Sequence, residues 1–334
     1  MLYSSNVAHP DIGRLLAGKY ELVRLAGEGG MAEVFQGHTH GAEGFRRPVA
    51  VKRILDHLSE DEEFLAMFVE EARVTAQLQH PNIVQIHDFD KDEQGCYFLV
   101  MEWIDGINLH DWQRALRELE QRSSWPLVTA IGIEVLKALS AAHEHRNDHG
   151  ERIPVYHRDV TPQNILVGGN GVVKLTDFGL ARAMDRGRMT KPQIVKGKLS
   201  YLAPELTSGQ DPSVQTDLFG VGIVMWETLV GRKLFTGDGP VDVLGAVKRC
   251  EVPPLKNERP DAPQELHDLV HKALARDPAD RFRSARSMVR AMANLLRMTP
   301  ESTSARVLAA SVRRARDELM VGPVPLTQRK SIAP

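Results

Sequence analysis

The sequence predicts an α+β chain of two lobes, a small β-rich one followed by a larger and mostly helical one. Three observations carry this. From Tyr20 to Met101, short alternating runs of apolar and polar side chains are interrupted by a single helical stripe. Beyond Gly106 the apolar spacing changes from two residues to three and four. The 334 residues, 42% of them hydrophobic, are enough for two domains or one large two-lobed unit with an ample core. Lys plus Arg number 42 against 44 Asp plus Glu, a formal charge of −2 that advertises neither nucleic acid nor an anionic membrane as partner. Two cysteines are too few for a disulfide framework and fit a reducing compartment. The charge-free apolar windows Leu127–Ile133 and Leu218–Trp226 are under half of the roughly 20 residues that a bilayer helix needs. The first charge is Asp11, so no basic leader is apparent. These features predict a soluble cytoplasmic protein with no membrane span and no nucleic-acid partner.

Residues 1–18 read as a short irregular extension. The run Tyr20-Glu21-Leu22-Val23-Arg24-Leu25 alternates, breaks at Gly27-Glu28-Gly29-Gly30 and resumes at Ala32-Glu33-Val34-Phe35, the pattern of a hairpin around a glycine turn. Val49–Lys52 is a third strand after a turn-rich, loosely held stretch at 39–48. Ser59 and Glu62 form a capping-box pattern for the helix that follows. Its stripe runs Phe64, Met67/Phe68, Glu71, Val74/Thr75, Leu78, so a glutamate falls on the buried side, while Glu70 lies ~100° around the helix. That helix should stop before His80-Pro81. Strands at Ile83–Asp88 and Cys96–Met101 complete the first unit, which ends at Asp105-Gly106. Helices then follow at Leu109–Glu120 and Leu127–His143, a strand pair within Asn164–Leu175, and helices at Val214–Val230 and Glu265–Ala275. Past Pro300, Val307, Leu308, Val312, Ala315 and Leu319 mark an amphipathic helix that also carries Arg306, Arg313, Arg314 and Arg316. A flexible tail is expected from Gly322.

The residues that carry chemistry come as an ordered set. Gly27-Glu28-Gly29-Gly30-Met31-Ala32-Glu33-Val34 precedes Val49-Ala50-Val51-Lys52, and Glu71 follows on its helix. Next come His157-Arg158-Asp159-Val160-Thr161-Pro162-Gln163-Asn164, Asp177-Phe178-Gly179 and Ala203-Pro204-Glu205. A glycine pair alone marks any hairpin, and a lone strand lysine reads as well as a snorkelling side chain; the order of the whole set is what is specific. Together these motifs resemble the eukaryotic-like serine/threonine protein kinase family of bacteria, from about Tyr20 to Arg297.

The resemblance implies a protein-kinase-like fold with N-lobe 20–102, hinge 102–106 and C-lobe 107–297, between an extension at 1–19 and a C-terminal helix and tail at 298–334. It implies an ATP-dependent kinase in signal transduction, moving the γ-phosphoryl of ATP, with Mg²⁺ or alternatively Mn²⁺, to Ser or Thr hydroxyls of protein substrates and of itself. Catalysis of that kind is mostly positioning and electrostatics. ATP would lie under Ala26, Gly27, Glu28, Gly29, Gly30, Met31 and Ala32, with its base against Val34 and Ala50. The Glu102 carbonyl and Ile104 N–H would meet adenine, with Met101 behind. Lys52 would hold the α/β-phosphates, anchored by Glu71, while Asn164 and Asp177 offer hard oxygen ligands for the metal. Asp159 would be the general base. Glu205 would pair with Arg281, and Asp217 would brace the catalytic loop from below. Arg158 is the cation that would capture a phosphorylated loop, and Thr190 is the candidate phosphosite. The helix at 301–320 offers a surface for docking on the kinase body or on a partner.

Three residues depart from the family pattern. The third glycine of the loop is Ala32. The family usually places a lysine two residues after the catalytic aspartate, where this chain has Thr161. It usually places a threonine after the glycine of Gly197-Lys198-Leu199-Ser200-Tyr201, where this chain has Lys198. The expectation is an exchange across one contact, with Lys198 reaching back over Asp159 and Thr161 supplying the hydroxyl. The rival readings are a pseudokinase that binds ATP as a scaffold without transfer, and a kinase of small molecules. The second is disfavoured by Ala203-Pro204-Glu205, which in the family belongs to a peptide platform. His143, His145 and His149 read as packed or loop histidines rather than a metal site.

Overall fold

The computed structural model describes residues 9–178 and 198–321. The first lobe is an antiparallel sheet of β1 (Leu15–Leu16), β2 (Tyr20–Glu28), β3 (Ala32–His40), β4 (Arg46–Ile54), β5 (Ile86–Lys91) and β6 (Tyr97–Glu102), in spatial order β1-β2-β3-β4-β6-β5. Successive side chains of a strand point to opposite faces. Val49 and Val51 of β4 therefore pack with Leu22, Phe35, Phe98 and Val100 on one face, and Ala50 and Ile54 with Leu99 and Met101 on the other. Lys52 falls on that second face. It is covered by α1 (Glu62–Ala76), whose buried positions Phe64, Phe68, Glu71, Ala72 and Thr75 follow helical spacing.

Local details differ from the sequence reading. The cap of α1 is Asp61, which accepts from the Phe64 N–H at 3.1 Å; Ser59 instead donates to the Asp56 carbonyl at 2.6 Å, because a turn over Asp56–Leu58 precedes the helix. The helix ends at Ala76, and the next strands begin later than expected, at Ile86 and Tyr97. Leu15–Leu16 pairs with Tyr20 and Glu21 as a sheet edge, so the extension is not irregular throughout. The stretch at 39–48 is held at both ends by the ladder, with Thr39 opposite Arg47 and His40 opposite Arg46, and a short connection that includes a turn at Ala42–Gly44 joins the strands.

The second lobe opens with β7 (Gly106–Asn108), β8 (Ile165–Gly168) and β9 (Val173–Leu175), an antiparallel three-stranded sheet. Its helices are α2 (Leu109–Glu118), α3 (Trp125–His143), α4 (Val214–Val230), α5 (Pro240–Arg249), α6 (Leu255–Glu258), α7 (Gln264–Ala273) and α8 (Ala285–Arg297). The sequence reading left out α5, α6 and α8, although Ser284 caps α8 and Ala285, Met288, Met292 and Leu295 form its buried stripe. Among the described residues, α3 alone is long and apolar enough to cross a membrane; 67% of that stretch is buried inside the lobe, against α4, α8 and β9. The lobes are joined through backbone: Val84 donates to the Leu175 carbonyl at 3.0 Å and Leu175 to the Asn82 carbonyl at 2.8 Å.

A last helix, α9 (Ala305–Val321), lies on α2, β7 and β8 and buries Leu308, Ala309, Val312 and Ala315. The Trp112 indole donates to Ser311 Oγ at 3.0 Å, Arg313 to the Gly169 carbonyl at 3.2 Å, and Arg316 to Asp105 at 3.0 Å. Gly171 makes room for its start. This residue has φ +83°, and a Cβ there would stand 1.9 Å from the Ala305 carbonyl oxygen.

Candidate active site

Between the lobes lies a cleft of about 1000 Å³, reached by Gly27, Gly29, Gly30, Lys52, Asn164, Asp177 and Lys198. Strand pairing explains its roof. Val34 lies opposite Lys52, and Ala50 opposite Met101, so all four side chains share the α1 face. Opposite Lys52 on that face is Glu71. The Lys52 ammonium donates to Glu71 Oε1 at 3.1 Å and to Asp177 Oδ1 at 2.8 Å. Burial works against the charge on Lys52, yet the carboxylates of Asp177 and Glu71 outweigh it and hold the ammonium well above its ordinary range. Burial pushes Glu71 up to about 7, with Lys52 pulling the other way. Asp177 is also desolvated, but Lys52 keeps its carboxyl below the usual carboxylate range.

The floor is a braced loop. Asp217, buried in the first turn of α4, accepts from the Arg158 N–H at 2.8 Å and from the His157 N–H at 2.9 Å. It also meets His143 Nε2 at 2.8 Å. These bonds hold Arg158 at φ +65°; Asp177 sits at φ +62°. Two non-glycine residues in the left-handed region at one site store strain that the surroundings must hold. The His157 ring shares a hydrogen bond with the Thr176 carbonyl at 2.9 Å and lies edge-on to buried Phe178. Thr75 of α1 reaches the Phe178 carbonyl at 3.2 Å, tying helix, loop and metal-ligand candidate together.

On this floor, the Asn164 amide donates to Asp159 Oδ2 at 3.0 Å and to its carbonyl at 2.8 Å. Lys198 Nζ donates to the same Asp159 Oδ2 at 2.5 Å. Thr161 is buried beside them, its carbonyl accepting from Asn164 N at 3.1 Å. Elsewhere in the second lobe, Arg281 grips both oxygens of Glu205 at 2.7 and 2.8 Å.

The structure brings Lys52, Glu71, Asp159, Asn164, Asp177 and Lys198 around one cleft. Glu28, Met31, Ala32 and Val34 line it with the glycines. Ala50, Met101 and Ile104 sit behind, in one apolar cluster with Val34 and Met31. Ala26 lies at an irregularity in β2, away from the lining. The Glu102 carboxylate is turned to Lys174, at 2.6 Å, and to the Gln85 N–H, at 2.8 Å. Thr190 lies outside the described residues. The sequence motif contains Tyr201, but nothing in it points to Glu227 and Lys233, which anchor that residue. The Tyr201 hydroxyl donates to Glu227 at 2.7 Å and is also met by the Lys233 ammonium. Leu55, His57, Leu58, Phe64, Phe68 and Gln163 complete the lining among the described residues.

Residues 20–292 match the family model described as the protein kinase domain. This chain belongs to that family. The kinase domain resembles tyrosine-protein kinase MasK of Myxococcus xanthus, with 38% identity over 279 residues, 84% of this chain and 43% of that protein. It also resembles a probable serine/threonine-protein kinase of Clostridium perfringens, 37% identical over 83% of this chain and 38% of that protein. Serine/threonine-protein kinase PknA of Mycobacterium tuberculosis is 35% identical over 82% of this chain and 61% of its own length. The chain thus spans less than half the length of the first two relatives and under two thirds of the third. Among solved structures, the crystal structure of the PknI kinase domain of Mycobacterium tuberculosis superimposes with a TM-score of 0.62 at 28% identity, covering 85% of this chain and 98% of that one.

Proposed function

We propose that this chain is an active protein kinase that transfers the γ-phosphoryl of ATP to serine or threonine hydroxyls of protein substrates in the cytoplasm, its own included. The observation that carries the proposal is the arrangement across the cleft. Lys52 is clamped between Glu71 and Asp177 on one side, and Asp159 is presented by Asn164 and Lys198 on the other. A scaffold that only bound nucleotide would have no use for a carboxylate so presented.

The residues fit a divalent cation. Asp177 is kept ionised by Lys52, and Asn164 turns its amide nitrogen to Asp159, which leaves its carbonyl oxygen as the end available to a metal among the described residues. A bound Mg²⁺ would neutralise charge on the phosphates. Lys52 holds the nucleotide side, and Asp159 takes the proton of the attacking hydroxyl.

Incubation with γ-labelled ATP, Mg²⁺ and a generic basic protein, beside Asp159→Asn, tests the reading. Label should appear on serine or threonine and fall by about 10²- to 10⁴-fold in the variant. Equal label in both would mean a contaminant, and label in neither would mean a scaffold. Label on tyrosine alone would correct the acceptor class, the activity named for the Myxococcus relative.

A further inference from the structure

We propose that Lys198 is a catalytic residue of this kinase: its ammonium supplies, from the turn before Tyr201, the positive charge that meets the γ-phosphoryl oxygens beside Asp159. The proposal rests on the kinase reading above. Four observations support it.

The first is contact. Lys198 reaches Asp159 Oδ2, the oxygen that Asn164 also holds, while the position two residues after Asp159 is the neutral, buried Thr161. The second is access. The Lys198 side chain is 40% exposed against 7% for Asp159, and it lines the same cleft as Asn164 and Asp177. The third is reach. It lines one cleft with Gly27, Gly29 and Gly30 as well as with Lys52, so it stands within the space that the glycine loop covers. The fourth is division of labour. The other ammonium among the described residues that line the cleft, Lys52, is buried between two carboxylates and committed to the nucleotide side. A loose phosphoryl transition state spreads charge over the γ-oxygens and needs a second cation toward the acceptor.

The backbone is built to aim this side chain. Lys198 opens a tight turn, its carbonyl accepting from Tyr201 N at 3.1 Å, and Leu199, Ser200 and Tyr201 are buried. Tyr201 is anchored in turn on Glu227. Leu199, Tyr201 and Glu227 are thus positioning residues for an ammonium whose side chain stays open to the cleft.

The step balances without any added reagent. The acceptor oxygen bonds to the γ-phosphorus as the bond from phosphorus to the β–γ bridging oxygen breaks. ADP leaves with that electron pair, and the hydroxyl proton passes to Asp159. Lys198 keeps its protons throughout. Without nucleotide it pairs with Asp159; with nucleotide it moves to the γ-oxygens and uncovers the carboxylate as base.

The test is Lys198→Met, read by binding as well as turnover. Transfer should fall about 10²- to 10³-fold, the loss typical of a missing oxyanion donor. Calorimetric affinity for Mg·ATP should stay within about twofold, while affinity for Mg·ADP with fluoroaluminate, a mimic of the transferring phosphoryl, falls in parallel with the rate. The exchange variant Thr161→Lys with Lys198→Thr should regain at least ~10-fold of the loss, which a misfolded turn could not do. Unchanged transfer in Lys198→Met would overturn the proposal, as would equal loss of ATP and mimic affinity, or an exchange variant no better than the single one. A wild-type chain that neither transfers nor binds Mg·ATP would instead overturn the kinase reading and this proposal with it.

Discussion

The two sides of the cleft are built differently. On the roof, the charged pair Lys52 and Glu71 is 6% and 3% exposed, seated on a strand and a helix that pack together. On the floor, Asp159 and Lys198 come from two loop segments, and the lysine is half open to solvent. The difference matches the two roles proposed above, a fixed grip on the nucleotide and a charge that changes partners. A side chain that grips the nucleotide in its ground state gains from rigid burial in the core. One that meets charge only as phosphoryl transfers must change partners, and a tethered, exposed ammonium can.

Removing one group from each side separates the two roles. Asp159→Asn should lower turnover about 10²- to 10⁴-fold with nucleotide affinity kept, whereas Lys52→Met should weaken nucleotide binding itself. Steady-state kinetics with calorimetry would separate the two, and matching losses of affinity would erase the distinction. Next in size is the support under the floor. Arg281→Ala leaves Glu205 buried and unpaired, and urea unfolding should register a loss of about 3–5 kcal/mol. A variant as stable as the parent would show that this part of the second lobe is held by packing alone.

A smaller effect tests the roof. Burial raises the Glu71 carboxyl from 4.5 to about 7, so the folded state holds that proton more tightly than the unfolded chain does. Its contribution to stability is therefore present below the ordinary carboxylate value and is lost as pH rises through about 7. The ion pair with Lys52 runs the other way, forming over that same rise. Mg·ATP affinity should increase from about pH 6 to about pH 8, and Glu71→Gln should flatten the part of that profile that belongs to the protein. An identical profile in the variant would assign all of it to the nucleotide. Smallest is the outer tie of α9. Asp105 is 76% exposed, so Arg316→Ala should cost at most ~1 kcal/mol in thermal or denaturant unfolding. A larger loss would mean that α9 braces the hinge through that one bond.

The roof was legible in the sequence because it rests on local periodicity. Alternation in β4 places Lys52 on the helix-facing side, and the stripe from Phe64 to Thr75 turns Glu71 toward it. The floor was legible only as motif. Nothing in the spacing of His157–Asn164 says that Asp217, 60 residues on, holds the His157 N–H. The seat of α9 was illegible for the same reason, since Trp112 meets Ser311 across a separation of 199 residues. Ser59 misled because its hydroxyl serves the preceding turn, while Asp61 is nearer the first helical residue. Lys233 carried no local signal at all. Only the fold sets it on Tyr201 and Glu227.

Everything turns on whether this cleft takes a metal-chelated triphosphate. Titration of Mg·ATP into the purified chain, beside Lys52→Met, measures that directly. Saturable one-to-one heat in the parent, weakened at least ~10-fold in the variant, is the predicted result. No heat in the parent would mean that the cleft holds no nucleotide and that the proposed function is wrong.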